Sequence, residues 1–374
     1  MNSQKLIWGV FWFCFHFPVL LFSSESVHYS PNLYSFDVIT DVKTISMGEC
    51  GVANFRDGLA FQFNPAILNG VRGAQFYYQH RPMNWASVLN GMYYYALGAL
   101  MKTPLGRFGI DYTRHEQGAS FVITVEDPEG STDKVKTYDH TFTLGYANEI
   151  TDRFYWGINL KIFDEQMEFS NKKDIFSSKS AVMTDIGLLY VLKKKGDQQS
   201  FYEGYILGCS LQNIGGVHTY AYHGVPWGET KGKAIIPKYF RFGFCYELIL
   251  QEDKKWIPFQ FSWITEYKKY LNPPDFNKKE TNYYGIGFEA VLYEWISMRM
   301  GGILQPDNSI YGGENRFAFR GGIGIHLPLN HLFLSWPVMI QLDYAYLPIY
   351  EHYYLFAKVK RNLNMWGIRF NYVF

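Results

Sequence analysis

About fourteen segments of this chain alternate apolar and polar side chains with a period of two, each running for ~9–12 residues. Successive side chains of a strand point to opposite faces, so this pattern describes two-faced strands. In "MWGIRFNYVF", Trp366, Ile368, Phe370, Tyr372 and Phe374 share one face, while Gly367, Arg369 and Asn371 share the other. In "YFRFGFCYELIL", Phe240, Phe242, Phe244, Tyr246, Leu248 and Leu250 oppose Arg241, Gly243, Cys245 and Glu247. "VMIQLDYAY", "FAFRGGIGIHL" and "FYWGINLKI" read the same way. The strand centres fall near residues 76, 97, 110, 143, 158, 186, 208, 243, 261, 288, 300, 322, 341 and 369.

Strands of soluble sheets usually run to five or six residues; these are longer and match a tilted bilayer crossing. Their polar faces carry Gly, Arg, Asp, Asn and Gln, which suits an enclosed lumen better than an open surface. The connections alternate in length. "TPLG" (103–106), "TDR" (151–153), "QEDKK" (251–255) and "YEW" (293–295) are short. Between them fall "EQGASFVITVEDPEGSTDKVK", "SNKKDIFSS", "GGVHTYAYHGVPWGETKGKA", "KKYLNPPDFNKKET", "QPDNSIYGGEN" and "PIYEHYYLFAKVKRN". Two stretches on the short side, near 193–202 and 328–336, are longer than the rest. The expected fold is all-β: a transmembrane antiparallel barrel of about fourteen strands with short turns at one mouth and long loops at the other.

Composition supports this. Of 374 residues, 48% are apolar, 19% aromatic and only 18% charged, against about a quarter charged in soluble domains. Trp156, Trp263, Trp336, Trp366 and many Tyr sit where interfacial girdles belong. After residue 22 no apolar run approaches the ~20 residues of a spanning helix. The net charge of +1 makes no electrostatic case for nucleic acid.

The N-terminus reads as an export signal over 1–26. Lys5 precedes the apolar run "LIWGVFWFCFHFPVLLF", and Ser24 and Ser26 suit cleavage near Val27. The competing reading is an uncleaved anchor, but no basic stop-transfer cluster follows. Cys14 leaves with the signal; Cys50, Cys209 and Cys245 remain, too few and too scattered for a disulfide framework or a zinc site, although Cys209 and Cys245 could bond. No catalytic signature is present, so neither an enzyme nor a cofactor is expected. His140, His218 and His223 lie in or near long loops at no metal-ligand spacing and read as solvated side chains. The lysines at 172–173, 193–195 and 254–255 read as solvated rims or contacts to outer-membrane lipid headgroups.

Charges on the polar faces are more informative: Arg241, Glu247, Glu289, Arg299, Arg320, Asp343 and Arg369, with Arg107, Asp111, Lys161 and Asp185. Both signs appear on neighbouring strands, with Glu289 beside Arg299 and Asp343 between Arg320 and Arg369. Charges survive in a lumen by pairing or meeting water. A cross-lumen network is expected to fill and stiffen the barrel; a selectivity ring is the alternative.

A barrel of this size is too wide for its wall side chains to fill. Residues 27–70 precede the first strand, are apolar, and are punctuated by Gly and Pro. Irregular backbone at membrane depth must be buried in protein or line a cavity, so these residues are expected to plug the lumen, leaving 71–374 as the barrel. The stretch "MGECGVANFRDGLAFQFNPAIL" resembles the N-terminal hatch of FadL-type long-chain fatty-acid transporters, on Gly48, Gly51, Ala53, Asp57 and Asn64-Pro65-Ala66 with Ile67. PorV-like barrels carry a similar start, and the aromatic style is similar to a spirochaete family of FadL-like barrels. Beyond these ~20 residues the resemblance is architectural. Phe374, with Tyr372 before it, looks like the signal read by the barrel-assembly machinery.

The resemblance implies passive, hatch-gated uptake of long-chain fatty acids or similar hydrophobic molecules across the outer membrane, with Gly48, Gly51, Asp57, Asn64, Pro65 and Ala66 at the gate. Loop aromatics Tyr220, Tyr222, Trp227, Tyr350, Tyr353, Tyr354 and Phe356 are candidates for first contact with the ligand, or else pack to order the loops. The alternative is a PorV-like shuttle or scaffold for secreted proteins. An open diffusive porin fits poorly with an apolar plug.

Overall fold

The computed structural model describes residues 40–82, 92–121, 134–169, 176–195, 201–223, 230–250, 257–272, 282–305, 316–329, 336–348, 352–354, 357–359 and 362–372. The expected signal segment, the start of the expected plug and the C-terminal Phe374 lie outside them. The strands are β1 (Ala74–Pro82), β2 (Met92–Thr103), β3 (Gly106–Phe121), β4 (Lys134–Thr151), β5 (Phe154–Phe169), β6 (Phe176–Lys179), β7 (Ala181–Lys195), β8 (Phe201–Gly215), β9 (Val217–Tyr222) and β10 (Thr230–Ile235). They continue as β11 (Tyr239–Leu250), β12 (Phe259–Tyr270), β13 (Asn282–Leu292), β14 (Ile296–Gln305), β15 (Arg316–Pro328), β16 (Val338–Pro348), β17 (His352–Tyr354), β18 (Ala357–Val359) and β19 (Asn362–Tyr372).

Fourteen of these close into an antiparallel barrel in the order β1-β19-β16-β15-β14-β13-β12-β11-β8-β7-β5-β4-β3-β2. The seam is the β1–β19 ladder, which runs from Ala74 opposite Tyr372 to His80 opposite Trp366. Closure removes every edge, so the backbone groups of each wall strand pair within the sheet. Each centre expected from the alternation lies inside one barrel strand. Along β11 burial alternates residue by residue, with Arg241, Gly243, Cys245 and Glu247 inside. Outward side chains such as Phe76, Ile110, Phe142, Met298 and Phe370 are exposed and form an apolar belt.

No disulfide joins Cys209 and Cys245. Cys245 is buried toward the lumen, whereas Cys209 lies opposite outward-facing Phe242 in the β8–β11 ladder. They occupy opposite faces of the wall, which rules out the disulfide considered above.

The long-loop mouth is more regular than the sequence suggests. β3, β4 and β5 run for 16, 18 and 16 residues, well past the apolar belt. Residues 217–222 and 230–235 are not irregular: β9 and β10 pair antiparallel, and β9 also pairs with β6, as a three-stranded sheet. Its polar residues satisfy strand pairing outside the membrane, where no apolar face is needed to mark a strand.

Residues 40–72 lie inside the ring. Helix α1 (Val42–Ser46) and two 3-10 turns (Gly58–Gln62 and Pro65–Gly70) supply its only regular structure among the described residues. Val42, Ile45, Met47, Val52, Phe61, Ile67 and Leu68 are fully or almost fully buried. Val42, Ile45, Met47, Val52 and Ile67 share one apolar core with lumen-facing wall residues such as Ile206, Ile264 and Leu347, and Phe61 and Leu68 share a second with Tyr77 and Leu100.

Candidate functional site: the inner segment and its anchors

Gly48 and Gly51 begin the tight part of the segment. Gly48 has φ +68°, a conformation that disfavours any Cβ. It also lies against β14: a Cβ on Gly301 would come within 2.3 Å of the Gly48 nitrogen. The next peptides are held by one carboxylate. Glu266 Oε2 accepts from the backbone N–H of Gly51 at 2.7 Å and of Val52 at 2.8 Å. Its other oxygen pairs with Arg241, whose Nε donates to Gln212 Oε1 at 2.7 Å. Gln212 in turn donates to the carbonyls of Gln62 and Phe63. Glu266 and Gln212 are absent from the sequence-derived set; both lie on lumen faces, and that alternation was the available signal.

A second anchor is a chain of buried ion pairs. Arg369 meets Asp41 at 2.8 Å, Asp57 at 2.5 Å and Asp343 at 3.3 Å. Asp343 also meets Arg299 at 2.6 Å, Arg299 meets Glu289 at 2.7 Å, and Glu289 meets Lys43 at 2.8 Å. The chain starts and ends on the inner segment and passes through the wall residues. Four carboxylates (Asp41, Asp57, Asp343, Glu289) face three cations (Arg369, Arg299, Lys43), an excess of one negative charge. Burial and the Asp57 carboxylate push Asp41 up from 3.8 to about 6, against the pull of Arg369. Asp41 also caps α1, accepting from Thr44 N–H at 2.9 Å. Separately, Arg56 pairs with Glu247 at 2.9 Å.

Asn64, Pro65 and Ala66 form the third anchor. Pro65 opens the second 3-10 turn, and Asn64 is extended at φ −155° as a residue before proline prefers. Asn64 Oδ1 accepts from Ala66 N–H at 3.1 Å. Its Nδ2 donates to Val52 O at 2.8 Å and to Leu188 O on β7 at 3.0 Å. The turn lies almost on the wall backbone. A Cβ on Gly187 would come within 1.9 Å of Asn64 Oδ1, and one on Gly157 within 2.4 Å of the Pro65 carbonyl carbon. Lumen-facing glycines therefore make room for the segment rather than for pairing side chains, a role that the strand pattern did not reveal.

Asp343 lies on the strand between those of Arg320 and Arg369, as expected, but Arg320 does not pair with it; Arg320 meets Glu49 at 3.5 Å. Asp343 lies opposite Gly324, four residues further along β15, or about 13 Å at ~3.3 Å per residue. His218 departs from expectation: it is fully buried, bonds Glu165 at 3.0 Å and packs edge-on against Phe163. The three-stranded loop sheet turns it inward over the lumen wall.

Among the candidate ligand-contact residues, Tyr220 and Tyr222 pack around Phe176 at ring distances of 6.4 and 5.3 Å. Tyr353 and Tyr354 lie in the β17–β18 hairpin. Trp227, Tyr350 and Phe356 lie outside the described residues. Tyr220 and Tyr222 also meet each other, at 5.9 Å, in contacts that order the loop sheet. Among the described residues, no group of three His, Cys, Asp or Glu side chains is arranged to hold a metal ion.

Beneath the segment, at the short-turn mouth, is a cavity of about 780 Å³ lined in part by Lys43, Phe55, Arg56, Tyr155, Glu247 and Arg369. Above it, a smaller one of about 130 Å³ is lined by Glu49, Arg241, Glu266, Lys268, Tyr270 and Tyr283.

No family model matches the sequence, and no curated protein matches it. Several solved barrels are similar in structure. The toluene transporter TodX of Pseudomonas putida has 10% identity and a TM-score of 0.45, over 88% of this chain and 96% of that one. A Pseudomonas aeruginosa FadL homologue has 12% identity and a TM-score of 0.43, over 89% and 98%. The CymD monoaromatic hydrocarbon channel has 11% identity and a TM-score of 0.44, over 92% and 99%.

Proposed function

We propose that this chain is a bacterial outer-membrane barrel that passes long-chain fatty acids or other hydrophobic small molecules by diffusion, with the inner segment as its hatch. One observation carries this reading: residues 40–72 occupy the lumen between two cavities and are tied to the wall largely through side chains. Side-chain ties can be exchanged for water or ligand while the strand ladders stay intact. The apolar belt of the wall supports a membrane location. The motif around Asn64-Pro65-Ala66 supports the FadL-like reading of the segment.

Asn64 is the central tie, because its donor and acceptor hold both the turn and the wall. Asn64→Ala leaves the Val52 and Leu188 carbonyls without that donor, at a cost of about 1–3 kcal/mol. The barrel is expected to assemble normally, since no strand ladder depends on this side chain. Flux of a small solute through proteoliposomes is expected to rise, and oleate transfer to change. Lost assembly with unchanged leakage in the residual protein would make the segment a folding element instead of a gate. Recovery of a stoichiometric secreted protein in a membrane pull-down, without saturable oleate binding, would favour the shuttle reading.

A further inference from the structure

The cavity at the short-turn mouth contains two kinds of cation. Lys43, Arg56 and Arg369 each have a carboxylate within 3 Å. Arg72, Lys102 and Arg107 line the same cavity, and none of them has an ion-pair partner among the described residues. Lys102 and Arg107 face the lumen directly opposite one another in the β2–β3 ladder. The backbone next to Arg72 is tied to the same strand, the Gly73 carbonyl accepting from Lys102 N–H at 2.9 Å. Like charges directly opposite on a sheet destabilise it. Arg107 Nε is moreover a buried donor without a hydrogen-bond acceptor. Glu149 lines the cavity too, but no ion pair joins it to any of the three.

We propose that this vestibule binds the anionic headgroup, carboxylate or phosphate, of a single-chain amphiphile. An oxyanion between Lys102 and Arg107 would relieve their repulsion and give the Arg107 guanidinium an anionic partner. The same cavity also has an apolar patch: Phe55 and Tyr155 pack at 5.3 Å, next to Val191. A volume of about 780 Å³ takes a headgroup and several methylenes. The site requires only the wall and residues 55–72, so it stands whether or not the hatch opens.

The test is calorimetric titration of the full-length barrel in a non-ionic detergent with octanoate, octyl phosphate, octanol and inorganic phosphate. At least one of the first two is expected to bind saturably at one per chain, at least tenfold more tightly than octanol or inorganic phosphate. Preference for octanoate assigns the site to fatty carboxylates; preference for octyl phosphate assigns it to lipid headgroups. Lys102→Gln with Arg107→Gln is expected to weaken that binding at least tenfold while octanol is unaffected. Lys102→Glu turns the like-charged pair into an opposite one, so it is expected to raise the unfolding midpoint and abolish binding. Equal affinity for octanoate, octyl phosphate and octanol, inorganic phosphate binding as tightly as octyl phosphate, or substitutions that leave binding within twofold in a normally folded barrel, would overturn the proposal.

Discussion

Two sides of the barrel hold the same inner segment by different physics. On the side formed by β13 to β16 and β19, glycines such as Gly287 and Gly301 let the segment approach the wall, but the side-chain ties are ionic, running from Asp41 and Asp57 through Arg369, Asp343, Arg299 and Glu289 to Lys43. On the side formed by β4 to β8, the contacts are neutral. There glycines bring the wall backbone close, and Asn64, Asn69 and Asn159 supply carboxamide hydrogen bonds. An ionic contact tolerates small shifts in position but fails badly when one partner is removed. A close-packed contact carries no charge penalty but tolerates no extra volume.

The largest effect is expected on the ionic side. Arg369→Ala leaves three buried carboxylates short of their shared cation, and removing one partner of a buried pair costs about 3–5 kcal/mol. Urea unfolding of the barrel in lipid is expected to show that loss. If the midpoint barely moves, water already reaches the chain of charges and the contrast between the two sides disappears.

A smaller effect is expected on the neutral side. Gly157→Ala places a methyl against the Pro65 carbonyl, and overpacking of this kind costs about 1–3 kcal/mol. The strands are expected to persist, with solute flux through proteoliposomes rising as the segment is pushed off the wall. Unchanged stability and flux would mean that the segment sits more loosely on this side than the glycine contacts imply.

The last effect concerns protons and is confined to mildly acidic pH. The folded state holds Asp41 at about 6, above its ordinary 3.8, so it binds a proton that the unfolded chain releases between those values. Stability from this group is therefore greatest below about pH 4 and is lost as pH rises through about 6. One proton sets a limiting slope of about 1.4 kcal/mol per pH unit. Asp41→Asn keeps an oxygen for the α1 cap and is expected to flatten the stability profile between pH 4 and 6. An unaltered profile would assign the titration to other groups in the chain of charges.

The strands and their two faces were legible because alternation is a local property, written wherever a chain must face lipid on one side and a lumen on the other. All fourteen wall strands, the lumenal placement of Arg241, Glu289, Arg299, Asp343 and Arg369, and the adjacent pair Glu289–Arg299 follow from it. Loop order was less legible. β6, β9 and β10 lie beyond the apolar belt, where no lipid-facing side imposes alternation, so even the β-prone VHTYAY reads as loop, and His218 reads as solvated until the sheet folds it onto Glu165.

The sequence by itself determined that this chain closes into a barrel and which side chains line it, because each strand carries that information within its own ten or so residues. Only the tertiary structure decided partners. Whether Asp343 meets Arg320 or Arg299 depends on ladder register, which fixes positions along the strands that alternation leaves free. Asp57 and Arg369 are separated by 312 residues, so their contact exists only once the barrel has closed around the segment. The lumen glycines likewise gain their meaning from a backbone that lies against them, and no local pattern records that approach.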